Sequence, residues 1–74
     1  MTDSIVFNDK SPIGTVELEK KMKFGTEFLY PVNIEAKIIC ELLNQTTITR
    51  RNCKDIVDLG FRIVIKGEAT EVLS

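Results

Sequence analysis

From Thr15 to Phe24 the chain reads TVELEKKMKF, with Val16, Leu18, Met22 and Phe24 on every second position and Glu17, Glu19, Lys21 and Lys23 between them. A period of two sends alternate side chains to opposite sides of an extended backbone, so this segment is expected as a strand with one buried and one wet face. Only Lys20 interrupts the apolar side. The Glu, Lys and Met content favours helix, but the period outweighs propensity. Upstream, Ser4–Phe7 (SIVF) has the composition of a short strand and runs into the turn-forming cluster NDKSPIG. Downstream of Gly25 and Thr26, Glu27–Val32 (EFLYPV) is apolar and aromatic. Pro31 cannot donate to a ladder, which predicts an edge strand or an extended lead-in there.

The period then changes. Asn33 is a good N-cap, and Glu35 in the first turn suits the positive end of a helix. From Ile34 to Leu43, seven residues (Ile34, Ala36, Ile38, Ile39, Cys40, Leu42 and Leu43) cover more than half of the helical circumference. An arc this wide predicts a central core helix buried on more than one side. The threonines around Ile48 suit a connection. Asn52 followed by Asp55 resembles a capping box for a second, shorter helix, with Arg50 and Arg51 ahead of the cap. Cys53, Ile56, Val57 and Leu59 share its apolar face, and Gly60 is placed for a left-handed C-cap.

Phe61, Ile63 and Ile65 alternate with Arg62, Val64 and Lys66, and Gly67-Glu68 fits a two-residue type II′ turn. That turn would set Ile65 opposite Thr70, Val64 opposite Glu71 and Ile63 opposite Val72. The expected fold is α+β, in one domain spanning residues 1–74. It is a small antiparallel sheet with a two-helix hairpin between its N- and C-terminal strands, in the order β-β-(β)-α-α-β-β.

Composition narrows the chemistry. Seventy-four residues are near the lower limit for a self-supporting core, so a homodimer would help burial. Net charge is −1, from 10 basic and 11 acidic residues, which lacks the global basicity of many nucleic-acid binders but allows local patches. No apolar run approaches a membrane span, and the acidic start MTDSIVFND lacks the pattern of a signal peptide. A cytoplasmic location with no membrane partner is the expectation. Two cysteines then read as buried free thiols, Cys40 and Cys53. With no histidine there is no Ser–His or Cys–His nucleophile system, and two separated cysteines do not make a zinc site. P-loop, dinucleotide and EF-hand patterns are also missing. The chain is therefore expected not to be an enzyme, with no catalytic, cofactor-binding or metal residues and no cofactor.

What remains is binding. Phe28 and Tyr30 beside Pro31 are candidate anchors for a protein partner, and edge strands suit strand addition. Between Arg50 and Lys66 five basic residues, Arg50, Arg51, Lys54, Arg62 and Lys66, outnumber the two acids Asp55 and Asp58. Arginines near a helix start oppose the helix dipole, which hints at an anionic partner. Over Ile38–Leu73 the order of helix, short connection, helix with a basic start and β-hairpin resembles the layout of a winged helix-turn-helix, which implies DNA or RNA binding through those residues. The leading expectation is a small non-enzymatic regulatory or adaptor protein that binds other proteins and modulates a larger machine. A winged-helix-like nucleic-acid-binding regulator is the alternative. Lys20, Lys21 and Lys23 read as charges that guard an exposed strand.

Overall fold

The structure, a computed structural model, describes residues 12–74. The apolar run Ser4–Phe7 lies outside them. Six elements follow in order: β1 (Thr15–Lys23), β2 (Thr26–Pro31), α1 (Ile34–Leu43), α2 (Arg50–Asp58), β3 (Arg62–Lys66) and β4 (Glu71–Leu73). The α+β class, the element order and the placement of both helices between the second and third strands agree with the sequence. The sheet order is β2-β1-β3-β4.

The sheet is mixed, not wholly antiparallel. β1 pairs antiparallel with β2 and β3 with β4, but β1 and β3 run parallel, with Val16 beside Ile63 and Leu18 beside Ile65. Parallel neighbours need a long crossover, and the two helices supply it. They cover one face of the sheet. Val16, Leu18, Leu29, Ile63 and Ile65 point into that layer and are buried with Ala36, Cys40, Ile48, Cys53 and Ile56.

β1 and β2 meet in a two-residue turn, Phe24-Gly25, both with positive φ (53° and 76°). A type I′ turn demands this of both central residues because its twist matches the strands. Glycine accepts that conformation freely, whereas a bulky side chain such as Phe24 rarely does.

Asn33 does more than cap α1. Its side-chain oxygen accepts from Ala36 N at 3.0 Å and Glu17 N at 3.1 Å, while its Nδ2 donates to Thr15 O at 2.8 Å. One side chain thus closes the helix start and carries the ladder of β1 one residue farther. The expected cap of α2 is shifted. Thr49 is the N-cap, with its Oγ1 accepting from Asn52 N and Asn52 Oδ1 accepting from Thr49 N, both at 3.1 Å. Asn52 therefore sits in the first turn, and Arg50 and Arg51 are helical residues. Both Thr and Asn are good caps; the earlier one wins because it makes the reciprocal box and leaves Cys53 and Ile56 facing the sheet. Gly60 follows α2 at φ 111°, and a Cβ there would lie 2.9 Å from Ile13.

The last hairpin is also shifted by one residue. Ile63 faces Leu73, Val64 faces Val72 and Ile65 faces Glu71, so the connection is longer than a two-residue II′ turn. This register puts Leu73 rather than Val72 against the core. It also brings Glu71 to the helical side, where Arg50 receives it.

Candidate functional site

The wide apolar arc of α1 is not buried on more than one side. Its buried residues are the two small ones, Ala36 and Cys40, which let the helix settle close to the sheet. The large ones face outward: Ile34 is 71%, Ile38 50% and Leu42 80% exposed. α2 presents Cys53 and Ile56 to the core, and just past its end Leu59 is 67% exposed. Between the helices lies a groove of about 380 Å³. Ile38, Ile39, Leu42 and Leu43 form one wall, Ile56 and Leu59 the other, and Phe61 also contributes. Its polar lining is Glu35, Asn52 and Asp55, and among the described residues no lysine or arginine lines it. Asn52 Oδ1 already accepts from Thr49 N and from Gln45 Nε2 at 2.9 Å, so the two carboxylates are the charged features of the groove.

Folded domains seldom leave contiguous apolar surface of this kind uncovered. Chemically the groove can exclude water from an apolar ligand surface while its carboxylates select against negative charge at the rim.

The residues singled out in the sequence fall in two places. Phe28, Tyr30, Arg62 and Lys66 lie on the sheet face away from the helices, as do Glu17, Glu19, Lys21 and Lys23. The alternation of buried Val16, Leu18, Leu29, Ile63 and Ile65 requires this. The Phe28 and Tyr30 rings are 6.4 Å apart; Lys23 Nζ donates to Tyr30 OH at 2.9 Å, and Lys21 Nζ lies 5.7 Å from that ring. Lys66 is 3.6 Å from Glu17. The tip of the same hairpin carries a fully exposed Phe24.

Arg50, Arg51 and Lys54 belong to α2. Arg50 is held between two strands. Its Nε donates to Glu27 at 2.8 Å and its Nη1 to Glu71 at 2.9 Å, with Nη2 reaching both carboxylates. α2 has no acid in its own first turn and opens on Arg50, a charge that a helix start disfavours and that Glu27 and Glu71 offset. Hydrogen bonds from Arg50 hold both carboxyls below the usual carboxylate range and push the guanidinium up. Lys54 pairs with Asp58 one turn on, at 3.3 Å. Arg51 is exposed. β3 lies inside the sheet, between β1 and β4, rather than projecting as half of a wing.

Both cysteines are free and buried, and burial pushes their thiols up. They act as small apolar side chains. Among the described residues no group of His, Cys, Asp and Glu is arranged to hold a metal ion, and no helix is long and apolar enough to cross a membrane.

The sequence alone does not reveal the groove as a site. Its signal in the sequence is the α1 arc, wider than one packing surface can absorb, with Ala36 and Cys40 as its only small residues. Comparison with protein families, curated proteins and solved structures finds no match to this chain.

Proposed function

We propose that this is a non-enzymatic regulatory or adaptor protein that works by binding another protein, and that the groove between α1 and α2 is its docking surface. The supporting observation is the outward stripe Ile34, Ile38 and Leu42, continued across the groove by Leu59. These side chains add little to the fold, so their apolar character is explained by a partner that covers them. Affinity capture from a native extract tests the reading. Wild-type protein should retain a saturable protein partner that Leu42→Asp loses. Equal retention by both, or no saturable partner, overturns it. Leu42 is mostly exposed, so the variant keeps the fold.

A second reading, single-stranded nucleic-acid binding, is favoured by one corner of the molecule. Phe24 holds an uncommon positive φ while fully exposed, and Lys21, Lys23, Phe28 and Tyr30 adjoin it on the β1–β2 hairpin. Aromatic faces with lysines between them can stack bases and neutralise phosphates. Titration with a labelled single strand should show affinity that falls steeply with salt and drops in Phe24→Asn. Undetectable binding at low salt removes this reading.

A further inference from the structure

We infer that the α1/α2 groove takes an amphipathic helix of a partner protein, with lysine or arginine flanking its apolar face. This rests on the protein-binding reading above and adds the shape and charge of the ligand.

Shape comes from the walls. Both are helices, whose backbone hydrogen bonds are satisfied within themselves, so neither offers a free edge for an incoming strand. They offer rows of side chains separated by a furrow, which another helix fills ridge into groove. α1 has ten residues, about 15 Å of wall, which matches two to three turns of a ligand helix with anchors at i, i+3 or i+4, and i+7. A small molecule is a poorer match. Such ligands are enclosed over most of their surface, whereas Ile38 and Leu42 leave this mouth open.

Charge selects among helices. Glu35 and Asp55 line the groove from opposite walls, and among the described residues no cation lines it with them. An incoming helix therefore meets carboxylates along both sides of its apolar stripe, and a basic flank is the complement. The same feature argues against a second copy of this chain. A two-fold pairing sets the same patch against itself, so a groove lined by two carboxylates and, among the described residues, no cation would face a surface with the same excess of negative charge.

The test uses the full chain and two labelled synthetic peptides of about twelve residues, the length of α1 with a little overhang. Both carry leucine anchors at helical spacing; one is flanked by lysines and the other by glutamates. Binding is read by fluorescence anisotropy. The lysine-flanked peptide should bind about tenfold tighter at low salt, with the gap closing as salt rises. The double variant Glu35→Lys, Asp55→Lys should reverse the preference, and Leu42→Asp should abolish binding of both peptides. All three positions are exposed, and circular dichroism checks that each variant is folded.

Equal affinities for the two peptides, or a preference untouched by the double variant, overturn the basic-flank inference. In that outcome the docking surface still stands if Leu42→Asp removes binding. Binding that survives Leu42→Asp places the contact elsewhere and overturns both. Failure of both peptides to bind overturns the helical ligand. A concentration-dependent dimer lost in Leu42→Asp would assign the groove to a second copy and also overturn it.

Discussion

The two helices bury nearly the same thing and differ in what they show. α1 turns Ala36 and Cys40 to the sheet, and α2 turns Cys53 and Ile56. Outward, α2 carries Arg51, Lys54 and Asp58, the charged surface expected of a helix on a small domain. α1 carries Ile34, Ile38 and Leu42 instead, while inside it fully buries only the small Ala36 and Cys40, with Ile39 packed partly against the core. Since both helices dock on one sheet, the demands of folding are similar for each. Among the described residues, the apolar outer face of α1 is therefore the feature that folding leaves unexplained, and it is where function is best sought.

Substitutions can break that contrast at several strengths. The strongest test is inside. Ile56→Ala should cost about 2–5 kcal/mol by leaving a cavity, and Ala36→Leu about 1–3 kcal/mol by forcing α1 off the sheet, both read by urea denaturation. If Ala36→Leu were neutral, the close approach of α1 would not depend on a small residue. The caps come next. Thr49→Ala should cost about 1 kcal/mol, as a capping-box loss does, and Asn33→Ala about 2 kcal/mol because two backbone groups of β1 lose their partner as well. Equal losses would show that the link from Asn33 to β1 adds nothing.

Leu42→Asp should change stability by less than about 0.5 kcal/mol, since an exposed side chain has little to lose. A large loss would mean that the outer face of α1 supports the fold after all. Last is the acid limb of stability, where direction alone is predicted. Glu27 and Glu71 have depressed folded-state values, so the stability they contribute is present above the ordinary carboxylate range. It is lost as pH falls through and below that range, when the unfolded chain takes up protons first. Arg50→Met should flatten this limb in denaturation measured at descending pH. An unchanged profile would mean that the Arg50 contacts are not maintained in solution. Solvent at these partly exposed groups keeps the effect modest.

Local patterns in the chain are legible because they depend on neighbours. The alternation of Val16 and Leu18, the Asn33 cap, the Gly60 stop and the alternation through Ile63 and Ile65 each specify an element without reference to the rest. What could not be read depended on distant partners. Nothing in Thr15–Lys23 announces that its other neighbour is Arg62–Lys66 running the same way. The hairpin shift comes from Leu73 reaching the core and Glu71 reaching Arg50, contacts that lie outside the turn itself. The α1 arc was visible, but periodicity gives only the width of an apolar surface, and the choice of Ala36 and Cys40 as the packed stripe belongs to the sheet. Phe28 and Tyr30 were legible as outward aromatics, whereas a groove made jointly by Ile38, Leu42 and Leu59 exists only once both helices are in place.

The parallel pairing at the centre of the sheet has a kinetic consequence. β1 meets β2, and β3 meets β4, through short local hairpins, but β1 can meet β3 only after the whole segment between them has been gathered over one face. Closing that loop loses chain entropy before any central contact forms, so the event that joins the two hairpins is expected to set the folding rate. Val16→Ala, on the central seam, should then slow folding, while Leu73→Ala, on a three-residue edge strand that can finish docking after the seam has formed, should mainly speed unfolding. Chevron plots of the two variants separate these outcomes, and equal effects on the folding limb would place the rate-limiting step elsewhere.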